Sequence, residues 1–270
     1  MLLRREPYSL SDVIEDVKQF FTDPNHWVFH FGSPTPECGV NSPYHRKQIE
    51  VLFEDKYDHY DVNNAVDVLI GGFLKLEQRQ RAHFVLRSDV RYFKRAIKTR
   101  IRIIERYADR NITDAIGKWA EKLVEYMFRL NGFEIVGKHT NRFGDLVWTE
   151  TNHNLDFIVI KDEIRYGVEV KNTLPYIEKD EFDAKLKMCK FLSLVPLWIF
   201  RNAPKIQFRT MKANNGFILK FKSQIYPFGQ EPLIRETWTK MRLPMTVWDE
   251  IPQKLVNLVL GFHKSNISVK

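Results

Sequence analysis

The chain has 270 residues, of which 44% are hydrophobic and 28% are charged, a balance typical of a folded globular protein and not of a disordered one. Lys and Arg number 42 against 34 Asp and Glu, so the net charge is +8. This surplus favours a polyanionic partner such as nucleic acid.

The N-terminus and the two cysteines indicate the cellular compartment. The segment 1–5 carries charge before any apolar run develops, so we expect no signal peptide. No apolar stretch approaches the ~18 residues of a membrane span, so we expect no membrane association. Cys38 and Cys189 lie in unrelated contexts and form neither a disulfide framework nor a metal-binding pair. The sequence therefore predicts a cytoplasmic protein.

The N-terminal part of the chain predicts three helices. Ser9 supplies a cap for the first helix. Residues 22–43 are rich in proline and predict an irregular loop. Helical spacing of apolar residues then predicts a second helix at 44–56 and a third at 62–70, capped by Asp61.

A hairpin with a basic tip follows these helices. Apolar runs at 73–76 and 82–86 flank the polar residues 77–81. The order of helices and hairpin over residues 1–87 resembles a winged-helix domain, whose third helix enters a DNA groove while the wing touches phosphates. The third helix here carries no arginine, so DNA contact and protein docking both stay open. Its polar residues are Asn63, Asn64 and Asp67.

A basic helix is predicted over residues 88–110. It connects the two halves of the chain and carries nine basic residues against three acidic ones, counted from Arg87 to Arg110. A run of charged residues is usually explained by a solvated connecting helix. The excess of basic over acidic residues here favours a surface that contacts a sugar-phosphate backbone. The predicted nucleic-acid contacts are Lys94, Arg95, Lys98 and Arg102.

The remainder, residues 111–270, predicts an α/β domain. A helix from Asp114 ends at Asn131–Gly132, and strands follow at 133–136, 155–160 and 164–171. The last two strands form a hairpin around a short turn.

This hairpin carries the residues that predict chemistry. Asp156 opens one strand and Glu169 lies late on its partner, so both carboxylates are expected at one end of the sheet. Strand alternation places Glu169 and Lys171 on one face, with Val170 turned the other way. Two carboxylates and an ammonium group beside apolar residues are explained by a hard cation, Mg²⁺ or Mn²⁺, between the carboxylates. A surface salt bridge is the alternative.

Residues 114–204 resemble the PD-(D/E)XK nuclease superfamily, and within it the archaeal Holliday-junction resolvases. The resemblance rests on Gly117–Glu121, Leu155–Asp156, Val168–Lys171, a lysine-rich helix from Asp180, and the strand Val195–Arg201. It implies a restriction-endonuclease-like αβββαβ core with a central mixed sheet and an N-terminal, mostly helical, winged-helix-like domain.

The resemblance also implies roles for four residues. Asp156 and Glu169 are expected to bind the metal, Glu121 to complete or support that site, and Lys171 to be the catalytic lysine. Leu155 stands where the family motif has proline. The N-terminal region has no counterpart in minimal resolvases, so junction specificity does not transfer.

Other polar residues near this core are open to two interpretations. Lys185, on the helix from Asp180, is predicted to face phosphate, although a solvated helix face gives the same pattern. His139 and His153 fall in a predicted loop between strands, near where the site should open, so each is either catalytic or ordinary polar surface, the usual role of a loop histidine. Aromatic and cationic residues of this loop either stack on bases or pack on one another; they are Arg142, Phe143 and Trp148.

The sequence thus predicts a Mg²⁺- or Mn²⁺-dependent DNA endonuclease that is homodimeric and associated with the nucleoid, and it leaves open whether cleavage is structure-specific, as in the junction resolvases. One alternative is a restriction endonuclease that cuts duplex DNA at a defined sequence. Another is a DNA-binding or assembly protein that has kept the fold and lost catalysis. Residues 205–270 carry no signature and are expected to add layers to the nuclease domain.

Overall fold

The computed structural model describes residues 8–25 and 38–268, which form two compact units. The first unit runs to Asp109 and also includes Pro232–Pro244. The second unit comprises Arg110–Glu231 and the residues from Met245 onward. The first unit therefore includes the basic helix and a segment that the sequence assigned to the nuclease domain.

The first unit combines helices with a small antiparallel sheet. The sheet has the order β1-β3-β2, in which Tyr44 of β1 pairs with Val85 of β3. The elements are α1 (Leu10–Thr22), β1 (Tyr44–His45), α2 (Arg46–Phe53), α3 (His59–Leu69), β2 (Leu74–Arg79), β3 (Ala82–Arg87) and α4 (Lys94–Tyr107).

Local chemistry explains the ends of these elements. Ser9 and Asp12 form a reciprocal capping box that starts α1. Helix α2 begins later than predicted because the fully buried Tyr44 is held in a strand by β3. Asp58, rather than Asp61, caps α3 through its side chain. The hairpin is confirmed with longer strands, and the predicted loop falls mostly on residues 26–37, outside the described residues.

The basic helix α4 is shorter than the predicted 88–110. Before it, Arg87 pairs with Asp89, and Tyr92 has a positive φ of 60°, so the backbone leaves the helical region. After Tyr107, a separate helix begins at Arg110.

The second unit is an α/β assembly around a five-stranded mixed sheet of order β10-β9-β8-β7-β4. Neighbouring strands β4, β7 and β8 run antiparallel, and β8, β9 and β10 run parallel. Its first elements are α5 (Arg110–Leu130), β4 (Glu134–Thr140), β5 (Arg142–Phe143), β6 (Leu146–Val147), β7 (Leu155–Lys161), β8 (Ile164–Lys171), α6 (Lys179–Phe191) and β9 (Val195–Phe200).

The C-terminal part adds to this sheet and also leaves it. Strand β10 extends the sheet beside β9, and β11 pairs in parallel with β12. The elements are α7 (Lys205–Ala213), β10 (Phe217–Lys220), β11 (Gln224–Tyr226), α8 (Glu231–Met241), β12 (Met245–Val247) and α9 (Gln253–Ile267). All of α8 except Glu231 belongs to the first unit.

Side chains of β7 and β8 alternate between two apolar layers, as strand geometry requires. Phe157 and Val168 face the core that α5 and α9 complete with Val124 and Val259. The opposite layer contains Ile158 and residues of α6. Because Val170 belongs to the α5 layer, its neighbours Glu169 and Lys171 face α6, as the alternation predicted.

Within the described residues, the helices lack the combination of length and apolar character that crossing a bilayer requires.

Candidate active site

Three charged or polar residues occupy one register line across strands β4, β7 and β8. Lys138 pairs with Phe157, and Phe157 pairs with Val168. His139 lies between Lys138 and Thr140, which pair with Phe157 and Leu155, and so lies beside Asp156. Asp156 and Glu169 are each one residue beyond the pair of Phe157 with Val168, and the charge of Asp156 acts on Glu169. Asp156 Oδ2 also accepts a hydrogen bond of 2.7 Å from the backbone N–H of Val170. The register therefore brings the predicted carboxylate pair together.

Glu169 is the most deeply buried acid of this group, with 3% of its surface exposed. Its Oε1 atom accepts a hydrogen bond of 2.5 Å from Lys185 Nζ. Its Oε2 atom is buried and has no hydrogen-bond partner among the described residues. Burial and the nearby charge of Asp156 raise the pKa of Glu169 to about 8, with Lys185 acting in the opposite direction.

Lys171 is held by Glu181, an acidic residue of α6. Its Nζ lies 3.0 Å from both carboxylate oxygens of Glu181. Glu181 also lies 3.5 Å from Lys185, one helical turn along α6. Burial acts to raise the pKa of Glu181, but the hydrogen bond and charge of Lys171 outweigh it and hold that pKa below its ordinary value. Two lysines and two glutamates thus alternate along this wall of the site.

Glu121, His139 and Asp156 form the open side of the site. His139 Nε2 lies 3.5 Å from Glu121 Oε2, and His139 Nδ1 lies 4.0 Å from Asp156 Oδ1. One potential ligand atom from each of the three residues lies within 4.8 Å of the other two. Burial, followed by the charge of Asp156, raises the pKa of Glu121. Burial also raises the pKa of Asp156, against the hydrogen bond from Val170.

The structure therefore brings Glu121, Asp156, Glu169 and Lys171 to one place. The sequence did not assign His139 to this site, because strand β4 was expected to end at Val136. A register shift between Ile135 and Gly137 carries β4 on to Thr140, and sequence alone gave no signal for that bulge.

Lys185 was predicted to face phosphate, with a solvated helix face as the alternative, but it lies inside the protein. Lys185 has 6% of its surface exposed and is paired with Glu169. The signal was present in the sequence, since Phe182, Lys185, Leu186 and Cys189 have the spacing of a buried helical stripe.

Two further residues near the site have structural contacts. Asn172 is buried and donates from its amide to the carbonyl oxygens of Ile116 and Ile225. It therefore ties α5 to β11 instead of pointing toward a substrate. Trp148 is 2% exposed and packs beneath α6, so it is not available for stacking on bases.

The predicted nucleic-acid contacts on α4 are exposed, and residues four apart share one helix face. The four predicted contacts are Lys94, Arg95, Lys98 and Arg102. Their side chains form no ion pair or hydrogen bond with other described residues. The opposite face buries Ile97 and Ile103. Arg100, one of the nine bases counted in the sequence, lies on that buried face and is 1% exposed, so it does not add to the basic surface.

Polar groups of α3 are engaged within the first unit. Arg46 Nε donates to Asn63 Oδ1 over 2.9 Å, and Arg46 Nη2 lies 2.5 Å from Asp67 Oδ2. Two of the three polar residues expected to reach into a groove are therefore occupied by a neighbouring helix.

The chain matches no protein-family model, and no curated protein sequence is significantly similar to it.

Proposed function

We propose that the protein is a metal-dependent endonuclease of the PD-(D/E)XK type. The observation that carries this proposal is that Asp156 and Glu169 both lie one residue beyond the pair of Phe157 with Val168, close enough for the charge of Asp156 to act on Glu169. Lys171 lies on the same face of β8 as Glu169, and Glu121 of α5 lies beside Asp156. The succession α5, β4, β7, β8, α6, β9 follows the αβββαβ order expected of this superfamily, with the short β5–β6 hairpin inserted.

The side chains present are suitable for Mg²⁺ or Mn²⁺. Glu169 Oε2 is a buried carboxylate oxygen that lacks a hydrogen bond from any described residue, and such an atom is expensive to bury without a cation. Asp156 and Glu121 offer further oxygen ligands; burial raises the pKa of both, and the charge of Asp156 raises the pKa of Glu121 further. A bound ion would polarise the scissile phosphate and lower the pKa of a coordinated water.

The protein's own residues supply the rest of the chemistry. Glu181 fixes the ammonium group of Lys171 at the end of β8, where it can orient a nucleophilic water and offset phosphate charge. Lys185 balances the charge of Glu169 from inside the protein. Removing the contact between Lys171 and Glu181 would leave the lysine without a fixed direction.

DNA is the proposed substrate because the exposed bases of α4 can neutralise phosphates. The first unit supports this role, since the order α1, β1, α2, α3, β2, β3 and the sheet order β1-β3-β2 are those of a winged helix. We propose phosphate contact through α4 and the β2–β3 hairpin, and not base reading by α3, because Arg46 occupies Asn63 and Asp67. Cutting both strands would require two sites, which favours a homodimer, and association with the nucleoid would follow from DNA binding.

The test is cleavage of branched, duplex and single-stranded DNA and of RNA, with Mg²⁺ or Mn²⁺. Asp156→Asn and Glu169→Gln should abolish cutting while DNA binding persists or tightens, because each removes a negative charge near the phosphate. Asp183→Asn is the matched control, since Asp183 lies on α6 and pairs with the exposed Lys179. Full cutting by either site variant would contradict the assignment. If the wild-type protein binds DNA without cutting it, a DNA-binding or assembly protein is favoured instead. If it cuts duplex DNA at one defined sequence, a restriction endonuclease is favoured.

A further inference from the structure

His139 occupies an unusual position for an exposed histidine. It lies on the register line that carries Asp156 and Glu169, and its ring has one nitrogen toward Glu121 and the other toward Asp156. Its backbone has a positive φ of 45°, a region that side-chain-bearing residues rarely adopt. The pairing of Thr140 with Leu155 holds this conformation directly beside the start of β7.

The neighbouring Glu169 points independently to a missing cation. Glu169 is 3% exposed, and both it and Asp156 lie one residue beyond the pair of Phe157 with Val168. Its Oε2 lacks a hydrogen-bond partner among the described residues. Lys185 satisfies only Oε1, and Lys171 is engaged by Glu181. Three carboxylates, those of Glu121, Asp156 and Glu169, therefore converge. Within residues 8–25 and 38–268, the His139 imidazole is the one basic group that pairs with Glu121 or Asp156.

We propose that His139 is a metal ligand, and that the Glu121–His139–Asp156 group makes the site selective for Mn²⁺ or a similar transition-metal ion over Mg²⁺. This deepens the proposed function and rests on it. Imidazole nitrogen suits first-row transition metals, whereas Mg²⁺ prefers an all-oxygen shell. Ligand atoms lie about 2.1 Å from such ions, so atoms on opposite sides are about 4 Å apart. Adjacent ligand atoms are about 3 Å apart at this bond length, and one ion binds only one of the two ring nitrogens. The three residues, whose ligand atoms lie within 4.8 Å of one another, would therefore close around the ion by about 1–2 Å on binding.

The competing interpretation is that His139 provides a positive charge when protonated, either to the carboxylates or to a phosphate. Both interpretations give weaker activity when His139 is replaced. They differ in whether a ring nitrogen is bonded to the metal, which pulsed electron paramagnetic resonance of bound Mn²⁺ reports as a coupling to ¹⁴N.

The experiment uses the full-length protein with Mn²⁺ alone or Mg²⁺ alone, without DNA. His139→Asn removes the imidazole while keeping a residue that tolerates a positive φ. His153→Asn is the matched control, because His153 bonds Thr151 in the same segment and does not belong to the cluster. Calorimetry gives both affinities, and the spin-echo spectrum gives the ¹⁴N coupling.

We expect ¹⁴N coupling in the wild type and in His153→Asn, and its loss in His139→Asn. In His139→Asn the Mn²⁺ affinity should fall by at least roughly 10-fold, because loss of a residue that only supports a metal ligand already costs about that much. The Mg²⁺ affinity should change little. Bound Mn²⁺ without ¹⁴N coupling, or equal losses in both histidine variants, would overturn the inference. If the wild-type protein shows ¹⁴N coupling but cleaves no nucleic acid, the assignment of His139 as a metal ligand stands and the nuclease proposal is overturned. Failure to bind either metal would overturn both.

Discussion

Lys185 Nζ lies 2.5 Å from Glu169 Oε1, and neither residue exposes more than 6% of its surface. A lysine expected on the surface thus becomes the internal counter-ion of a candidate metal ligand. Buried ion pairs contribute little net stability compared with apolar residues, but removing one partner leaves the other charge uncompensated. The pair is therefore more informative about function than about stability.

Replacing Lys185 with methionine should lower the free energy of unfolding by about 3–5 kcal/mol, the usual cost of breaking a buried pair. Urea denaturation of the metal-free protein at about pH 9 measures this, because Glu169, whose pKa is about 8, is ionised there and the pair carries both charges. Lys187→Met is the matched control, since Lys187 is exposed on the same helix and its replacement should change stability by less than about 0.5 kcal/mol. The double variant Lys185→Met/Glu169→Leu should recover most of the loss. Equal effects of the two lysine variants would refute the buried-pair argument.

The contribution of Glu169 to the stability of the metal-free protein should fall as the pH rises from about 4.5 to about 8. Burial raises the pKa of Glu169 from 4.5 to about 8, so in this window the folded state holds a proton that the unfolded state has lost. Stability decreases with pH wherever the folded state binds more protons. Glu169→Gln cannot titrate and should flatten this slope in urea denaturation at several pH values. A slope that is unchanged in the variant would contradict the assigned shift.

Lys171→Ala should lower turnover by roughly 100-fold or more, as expected for a group that assists proton transfer, while metal affinity stays near that of the wild type. Glu181→Gln should lower kcat in the same direction but less, since it loosens Lys171 without removing it. Asp180→Asn, an exposed acid one residue earlier, is the control. Loss of metal binding in Lys171→Ala would show that the lysine organises the site and has no separate catalytic role.

How far the sequence predicted the site can be judged from individual residues. Asp156, Glu169 and Lys171 were located correctly relative to one another because β7 and β8 join through the two-residue turn Asp162–Glu163, both with positive φ. A tight antiparallel turn fixes the register, so positions along the chain translate into positions in space.

The positions of residues that depend on packing between distant parts of the chain could not be predicted from the sequence in this way. The inward direction of Lys185 depends on the depth at which α6 packs on the sheet, and the bulge that brings His139 to Asp156 depends on pairing with β7. The sequence also could not show that 232–244 belongs to the first unit, since its partners lie far away in the chain. Gln48 Nε2, for example, donates to the carbonyl of Met241 over 2.6 Å.

Replacing Lys94, Arg95 and Lys98 together with alanine should reduce the salt dependence of DNA affinity. Each phosphate contact contributes about −0.9 to the slope of log affinity against log salt, so up to three contacts would be lost. Replacing Lys205, Arg209 and Lys212, exposed on α7, removes the same charge from the second unit and serves as the control. Equal changes in the two triple variants would mean that net charge, and not the α4 surface, drives binding.

The second unit should fold alone only if residues 232–244 are removed from it. In a fragment 111–270, α8 would expose Leu233 and Met241, which are buried in the first unit, and would lose the ion pair between Arg106 and Glu236. This fragment should aggregate. A fragment that replaces 232–244 with a Gly/Ser linker of about eight residues should be monomeric and folded.

The linker length follows from the parallel pairing of β11 with β12, which requires a connection of about a dozen residues, of which 227–231 supply part. The excised fragment keeps Glu121, His139, Asp156 and Glu169, so it should bind Mn²⁺ like the whole protein, while its DNA affinity falls because α4 is absent. Light scattering and Mn²⁺ titration of the two fragments test this directly. If fragment 111–270 is as soluble and as stable as the excised form, then α8 does not depend on the first unit, and the boundary at residue 110 is sufficient.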